Sequence, residues 1–83
     1  MEKDAEKARA YFERAAEAGH LKTARFLGFN LEKGKEPFPQ DLAKSFHFYK
    51  IASELGDLYS RVKLAIAYFQ GQHLENPFFL QFH

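Results

Sequence analysis

Hydrophobic residues recur at spacings of three and four along four stretches of this 83-residue chain, with polar residues between them. This spacing places the hydrophobic side chains on one face of an α-helix. Glycines, prolines and potential capping residues separate the stretches, so each helix has a predicted start and end. The pattern predicts helices over about 4–18, 20–33, 41–55 and 57–70, with a loop over 35–40.

The predicted helix ends depend on two kinds of residue. Polar side chains before a hydrophobic stretch can accept the unpaired amides of the first turn, and glycines after it can adopt the left-handed conformation. The predicted N-caps are Asp4, His20, Asp41 and Asp57, and the predicted terminators are Gly19, Gly34, Gly56 and Gly71. Gly28 lies inside the second helix, where glycine costs about 1 kcal/mol relative to alanine. A close approach by a neighbouring backbone would explain it.

The pattern of the first two helices returns in the second two, and Gly56 follows Gly19 by 37 residues. The identities fall on caps, turn glycines and hydrophobic positions: Asp4/Asp41, Lys7/Lys44, Ala15/Ala52, Glu17/Glu54, Gly19/Gly56, Leu21/Leu58, Leu27/Leu64 and Gly34/Gly71. A fixed period of this size predicts a helical repeat array.

These residues resemble the Sel1-like repeat, a relative of the tetratricopeptide repeat. The first pass of the motif is Asp4, Lys7, Ala8, Tyr11, Phe12, Ala15, Ala16, Glu17, Gly19, Thr23, Leu27, Gly28, Leu31 and Gly34. The second is Asp41, Lys44, Ser45, Phe48, Tyr49, Ala52, Ser53, Glu54, Gly56, Ser60, Leu64, Ala65, Tyr68 and Gly71. The resemblance covers about 4–71. It departs from the family pattern in the loop Lys35-Glu36-Pro37-Phe38 and at Leu31, where an aromatic residue is common.

The resemblance implies an all-α fold, a right-handed α-α superhelix (solenoid) fragment of four antiparallel helices. Its two repeats would span 4–34 and 41–71, with an apolar C-terminal tail over 72–83. In the family frame the chain begins with the second helix of a repeat, so it looks like a piece of a longer array or an engineered one. The expected core is Ala8, Tyr11, Phe12, Ala15, Leu21, Leu27, Leu31, Phe48, Tyr49, Ala52, Leu55, Leu58, Leu64 and Tyr68.

The resemblance also implies a scaffold that presents a concave helical surface to a protein or peptide partner. Carried over by position, the partner-binding residues are Lys22, Arg25, Phe29 and Glu32 in one repeat and Tyr59, Val62, Ile66 and Phe69 in the next. The first set is mainly polar and the second is entirely apolar. Two alternatives stay open: an engineered or trimmed structural repeat with no natural ligand, and a module that self-associates through its Phe-rich tail.

The fourth predicted helix is apolar on two faces, and such a helix is expected to be covered on both. The tail supplies the apolar residues Leu74, Phe78, Phe79, Leu80 and Phe82. We expect the tail to fold back over this helix as a cap, because terminal repeats of solenoids need one. An interface with a second copy or a partner is the alternative, and a monomer is expected rather than a homodimer.

Charge and composition argue against other classes of function. The formal net charge is +1, and a weak basic edge at Lys22, Arg25, Lys33 and Lys35 is interrupted by Glu32 and Glu36, so no nucleic-acid partner is expected. The chain has no cysteine and no two histidines three or four residues apart, which argues against a metal site. No nucleophile lies beside a base, so neither an enzyme nor a cofactor is expected.

The sequence shows no targeting or membrane-spanning segment. Its start is charged rather than apolar, and no apolar run approaches the roughly 20 residues of a membrane helix. A soluble protein, cytoplasmic by default, is therefore expected, with no membrane partner.

Overall fold

The computed structural model describes residues 2–70, with side chains from Asp4 onward. Its helices are α1 (Glu2–Glu17), α2 (Leu21–Lys33), α3 (Leu42–Glu54) and α4 (Leu58–Phe69). No strand occurs within these residues, and the all-α helical repeat fold is confirmed. None of the described helices combines the length and hydrophobicity needed to cross a bilayer.

Three of the four predicted N-caps are present. His20, Asp41 and Asp57 each have an extended backbone and accept the amide N–H three residues further on. The prediction for Asp4 is wrong, because α1 already begins at Glu2 and Asp4 lies inside its first turn. At the other end of α2, Gly34 adopts φ 74° and donates its N–H to the carbonyl of Asn30.

The core lies around α2 and α3, which form the most extensive helix pair. α1 packs on α2, and α4 packs on α3. The buried cluster contains Ala16, Ala24, Leu27, Leu31, Phe38, Phe48 and Ala52, and Tyr49 and Leu64 are also buried. Within residues 4–70, the buried side chains therefore come chiefly from the two central helices.

Several predicted core residues are instead exposed. Tyr11 is 67% exposed and Leu58 is 69% exposed, and Phe12, Leu55 and Tyr68 are also more than a third exposed. Tyr11 and Phe12 lie on α1, which packs chiefly against α2, so that helix buries less of its surface than α2 does. Leu55 and Leu58 flank the turn at Gly56, where the chain reverses direction at the surface. A repeat pattern assigns the same role to every copy, whereas burial depends on the neighbours each copy has.

The loop between α2 and α3 contributes an unpredicted core residue. Phe38 is only 2% exposed and lies 5.9 Å from the ring centroids of both Phe12 and Phe26. The backbone carbonyl of Pro37 accepts a 2.7 Å hydrogen bond from Arg9 on α1. The loop thus ties α1 to α2 and fills the space between them with an aromatic ring.

Gly28 lies under the ring of Tyr49, so the close approach at this glycine comes from a side chain rather than from a backbone. A Cβ atom at residue 28 would fall 2.6 Å from Tyr49 Cδ1. The carbonyl of Gly28 also accepts a 2.6 Å hydrogen bond from the buried Ser45 hydroxyl. Glycine at this position therefore sets how closely α3 packs on α2.

Candidate functional site

An open groove of about 490 Å³ lies between α2 and the start of α4. Five of its lining residues come from α2 and one from α4: Lys22, Arg25, Phe26, Phe29, Asn30 and Tyr59. We call this the α2–α4 groove. Residues three and four apart share one face of a helix, which explains why the α2 residues point the same way.

Tyr59 reaches the groove because α4 packs against α3. Its ring centroid lies 6.1 Å from that of Tyr49, which is itself buried under α2. Tyr59 remains 43% exposed, so one side of its ring packs on the core and the rest faces solvent. The groove therefore contains a tyrosine ring whose position is fixed by contact with the buried Tyr49.

An ion pair joins the two helices beside the groove. Arg25 Nη1 donates to Asp57 Oδ1 over 3.0 Å, and Asp57 Oδ2 accepts from the amide and the hydroxyl of Ser60. Burial by itself raises the pKa of Asp57, but the Ser60 hydrogen bonds and the Arg25 charge outweigh it, so the pKa lies below its ordinary value. Arg25 is thereby held at the groove while its side chain stays 43% exposed.

Glu32, one of the predicted partner-binding residues, does not line the groove. Its carboxylate accepts hydrogen bonds from the Tyr49 hydroxyl at 2.9 Å and from Lys63 Nζ at 2.7 Å. Burial by itself raises the pKa of Glu32. The two hydrogen bonds and the Lys63 charge outweigh burial, so the pKa of Glu32 lies below its ordinary value. Burial, together with the same carboxylate, raises the pKa of Tyr49. Glu32 therefore links α2, α3 and α4.

Two lysines lie over the ring of Phe29, one of the residues that line the groove. Lys33 Nζ is 5.8 Å and Lys35 Nζ is 5.4 Å from the ring centroid. Both distances suit a cation–π interaction. The ring of Phe29 thus lies close to two ammonium groups.

The other predicted site residues lie apart from the groove. Val62, Ile66 and Phe69 are exposed on α4, with Phe69 at 84%. We call these three residues the α4 apolar face; by their spacing they continue the helix face on which Tyr59 lies, but they do not line the groove. The predicted tail residues Leu74, Phe78, Phe79, Leu80 and Phe82 lie outside the described residues.

Phe26 and Asn30 line the groove but were not predicted. Asn30 is nearly buried, and its amide donates to the carbonyl of Phe26 over 2.7 Å. The ring of Phe26 lies 5.2 Å from that of Phe12 while remaining 43% exposed. Helical spacing alone could have found both residues, since they follow Lys22 by four and eight positions. The α2 positions taken from the tetratricopeptide geometry were Lys22, Arg25, Phe29 and Glu32, and these do not include Phe26 or Asn30.

Ser45 and Ser60 are buried, and the hydroxyl of each donates a hydrogen bond within the fold. Ser45 donates to a backbone carbonyl and Ser60 donates to its own helix cap. No buried side-chain nitrogen or oxygen within residues 4–70 lacks a hydrogen-bond partner. The same residues bring together no group of three or more histidine, cysteine or acidic side chains.

Within residues 2–70, four helices with an internal repeat of 37 residues define a helical repeat protein with a groove between α2 and α4. The family model of the Sel1 repeat matches residues 1–20 and 22–57, which is more than half of the chain. The chain belongs to the Sel1 repeat family, as its motifs indicated. The second match spans α2, the loop and α3, the most extensively packed pair. Comparisons with curated proteins and with solved structures gave no match.

Proposed function

We propose that this chain is a protein-interaction module whose α2–α4 groove binds a segment of a partner protein. Sel1 repeats generally mediate protein–protein interaction. The observation that carries the proposal is that three aromatic rings line one open groove, of which Phe26 and Tyr59 are exposed and Phe29 is half-buried. Aromatic residues are over-represented among the side chains that dominate binding energy at interfaces.

The groove combines apolar and polar side chains in the way that protein interfaces do. Its apolar part is formed by the aromatic rings, and Lys22, Arg25 and Asn30 supply polar groups beside them. Interfaces commonly combine an apolar centre with a polar rim. A volume of about 490 Å³ accommodates one or two large side chains of a partner segment.

The geometry also resists collapse of the groove. The Arg25–Asp57 ion pair and the Glu32–Lys63 ion pair join α2 to α4 at residues before and after Tyr59 in sequence. A binding site that is already formed loses less conformational entropy when its ligand arrives. This supports a groove that accepts a peptide segment without a large rearrangement.

The test is a selection of random dodecapeptides displayed on phage against the full chain, followed by affinity measurements on synthetic copies. We expect Tyr59→Ala and Phe29→Ala each to weaken binding at least about tenfold, the effect typical of a central aromatic contact. Tyr11→Ala is the matched control, because Tyr11 is exposed on α1 away from the groove.

Thermal melting of each variant separates loss of binding from loss of fold, since Tyr59 also contacts Tyr49. Selected peptides that bind Tyr59→Ala and Phe29→Ala as tightly as the original chain would place the interaction elsewhere. A selection that yields nothing above background would favour a repeat with a purely structural role.

A further inference from the structure

We infer that the partner segment recognised by the α2–α4 groove is acidic, with carboxylates on either side of one large apolar anchor residue. This inference rests on the function proposed above and adds the chemical class of the partner. Its basis is the set of cations at the groove, together with the ion pairs that two nearby carboxylates already form within the fold.

Four cationic side chains lie in the groove or over the ring of Phe29, one of its lining residues. Lys22 and Arg25 belong to its lining, and Lys33 and Lys35 lie over the ring of Phe29. Arg25 is paired with Asp57, but no carboxylate within residues 4–70 forms an ion pair with any of the three lysines. These lysines are exposed, so their charges remain available to a ligand.

Two nearby carboxylates already have hydrogen-bond and ion-pair partners within the fold. Asp57 accepts hydrogen bonds from Ser60 and Arg25, and Glu32 accepts them from Tyr49 and Lys63. Glu36 is exposed and adjacent to Lys35 in sequence, and it forms no ion pair within the described residues. The groove therefore keeps an excess of positive charge even when Glu36 is counted.

The tertiary structure changes how the basic edge is interpreted. In sequence, Glu32 interrupts the series Lys22, Arg25, Lys33 and Lys35. In the fold, the carboxylate of Glu32 is paired with Lys63 and mostly buried. Lys63 therefore offsets much of the Glu32 charge, so that carboxylate, which also interacts with the Lys33 charge, interrupts the basic edge less than the sequence suggests.

The lysine pair at Phe29 identifies where the strongest anionic contact should form. Both ammonium groups lie within 6 Å of one ring centroid, so a carboxylate beside that ring would be close to two positive charges. The ring itself can contact the apolar anchor of the same segment. An anchor residue with a neighbouring carboxylate satisfies both features at once, which neither a neutral nor a basic segment does.

A single-stranded nucleic acid would also bring negative charge and rings that stack. The structure favours an acidic protein segment, because the net charge of the chain is only +1 and Sel1 repeats generally bind proteins. Nucleic-acid grooves commonly carry an extended basic track along several nucleotides. The nucleic acid is kept as one outcome of the test.

The test uses nonapeptides that carry a central phenylalanine with two glutamates on each side, and counterparts with glutamine or lysine at the same places. Affinities for the full chain are measured by calorimetry at about 20 mM and about 500 mM salt, and binding is located by backbone amide NMR. Exposed ion pairs contribute factors of about 1.5 to 5 each, so three lysines predict about tenfold tighter binding of the glutamate peptide. High salt should remove most of that difference.

Lys22→Glu combined with Lys33→Glu should abolish the preference for glutamate over glutamine. Lys50→Glu is the matched control, because Lys50 is exposed on α3 outside the groove and should leave the preference intact. Equal affinity for the glutamate and glutamine peptides, with both weakened by Phe29→Ala, would overturn the acidic preference and leave the groove function standing.

Tightest binding of the lysine peptide would overturn the inference as well, and so would tighter binding of a thymidine decamer than of the glutamate peptide. If no peptide shifts the amide signals of the groove and the phage selection also fails, the groove function itself is overturned. The two proposals therefore fail in different ways.

Discussion

α2 and α4 occupy the same place in the 37-residue repeat, yet they have different surroundings. α2 packs between α1 and α3, and Leu27 and Gly28 on it are buried. Within the described residues, α4 packs chiefly on α3, and Ala65, the counterpart of Gly28, is exposed. Equivalent sequence positions thus acquire different burial, because burial depends on how many neighbours a repeat has.

The surface residues of the two helices also differ, because those of α4 are more apolar than their counterparts on α2. Arg25 and Phe29 on α2 correspond to Val62 and Ile66 on α4, so the helix with fewer described neighbours carries the more apolar surface. A contiguous apolar surface in water signals an interaction or a covering segment. We propose that residues 72–83 cover the α4 apolar face, with a second copy or a partner as the alternative.

The largest expected effect on the free energy of unfolding is that of Gly28→Ala, which is compared with Ala65→Gly at the equivalent position of α4. Alanine gains about 1 kcal/mol of helix propensity at residue 28, but its Cβ would meet Tyr49 Cδ1 at 2.6 Å. Forcing the ring away should leave Gly28→Ala less stable by about 1–3 kcal/mol. Ala65→Gly should cost only the propensity difference, about 1 kcal/mol. Urea unfolding measures both, and a stabilised Gly28→Ala would contradict the close packing of α2 and α3.

The next prediction tests whether residues 72–83 pack on the α4 apolar face. If residues 72–83 pack there, Ile66→Asp and Phe79→Asp should each lower the free energy of unfolding by about 1–2 kcal/mol. Together they should be non-additive by about 0.5 kcal/mol or more, because contacting residues couple. Phe79→Asp combined with Tyr11→Asp is the control and should be additive. Strict additivity of the Ile66 and Phe79 variants in thermal and urea unfolding would show that the two residues do not touch.

A third test addresses the ion pair that joins the two helices. The folded pKa of Asp57 lies below its ordinary value, so its contribution to stability is present above about pH 4 and is lost as the pH falls through the folded pKa. Asp57→Asn should lose about 1 kcal/mol at neutral pH and show a weaker acid destabilisation. Asp41→Asn is the matched cap without an ion pair.

Unfolding free energies between pH 7 and pH 3 supply the comparison for these two variants. The original chain and Asp57→Asn should converge as the pH falls, and Asp41→Asn measures the same substitution at a cap without an ion pair. Parallel curves for the original chain and Asp57→Asn would mean that the Arg25–Asp57 pair adds nothing to stability.

The smallest expected effect is at the first turns of the two helices. His20 caps α2 through a 3.3 Å hydrogen bond from the Thr23 amide, whereas the same place on α4 is held by the Asp57 carboxylate at 2.8 Å. A carboxylate also interacts favourably with the helix dipole. His20→Asp should therefore stabilise the chain by about 0.5–1 kcal/mol, and His20→Ala should destabilise it similarly. Chemical unfolding that ranks His20→Asp below the original chain would contradict this view of the cap.

Much of the fold could be predicted because it depends on local chemistry. Hydrophobic spacing located α2, α3 and α4 to within about two residues, and His20, Asp41 and Asp57 cap them as predicted. Asp4 failed as a cap because a helix can begin earlier than its first good capping residue. The burial of Phe38 was missed because a loop residue has no periodicity from which to infer its direction.

The candidate groove was only partly predictable. Lys22, Arg25 and Phe29 were predicted in one partner-binding set and Tyr59 in a second, apolar set that the tail was expected to cover. In the fold, Tyr59 lines the same groove as the three α2 residues. Glu32 was predicted with them but pairs with Lys63, a partner 31 residues away. Such long-range pairing depends on how α4 is oriented against α2, which helical spacing within α2 cannot specify.

The sequence by itself determined the helices, their ends and the repeat, because hydrogen bonding, capping and hydrophobic spacing act within a few residues along the chain. Only the tertiary structure decided which apolar positions are buried, which carboxylates are already paired and where the lysines gather around Phe29. Those properties arise from contacts between residues far apart in sequence, and two copies of one motif differ in them whenever their neighbours differ.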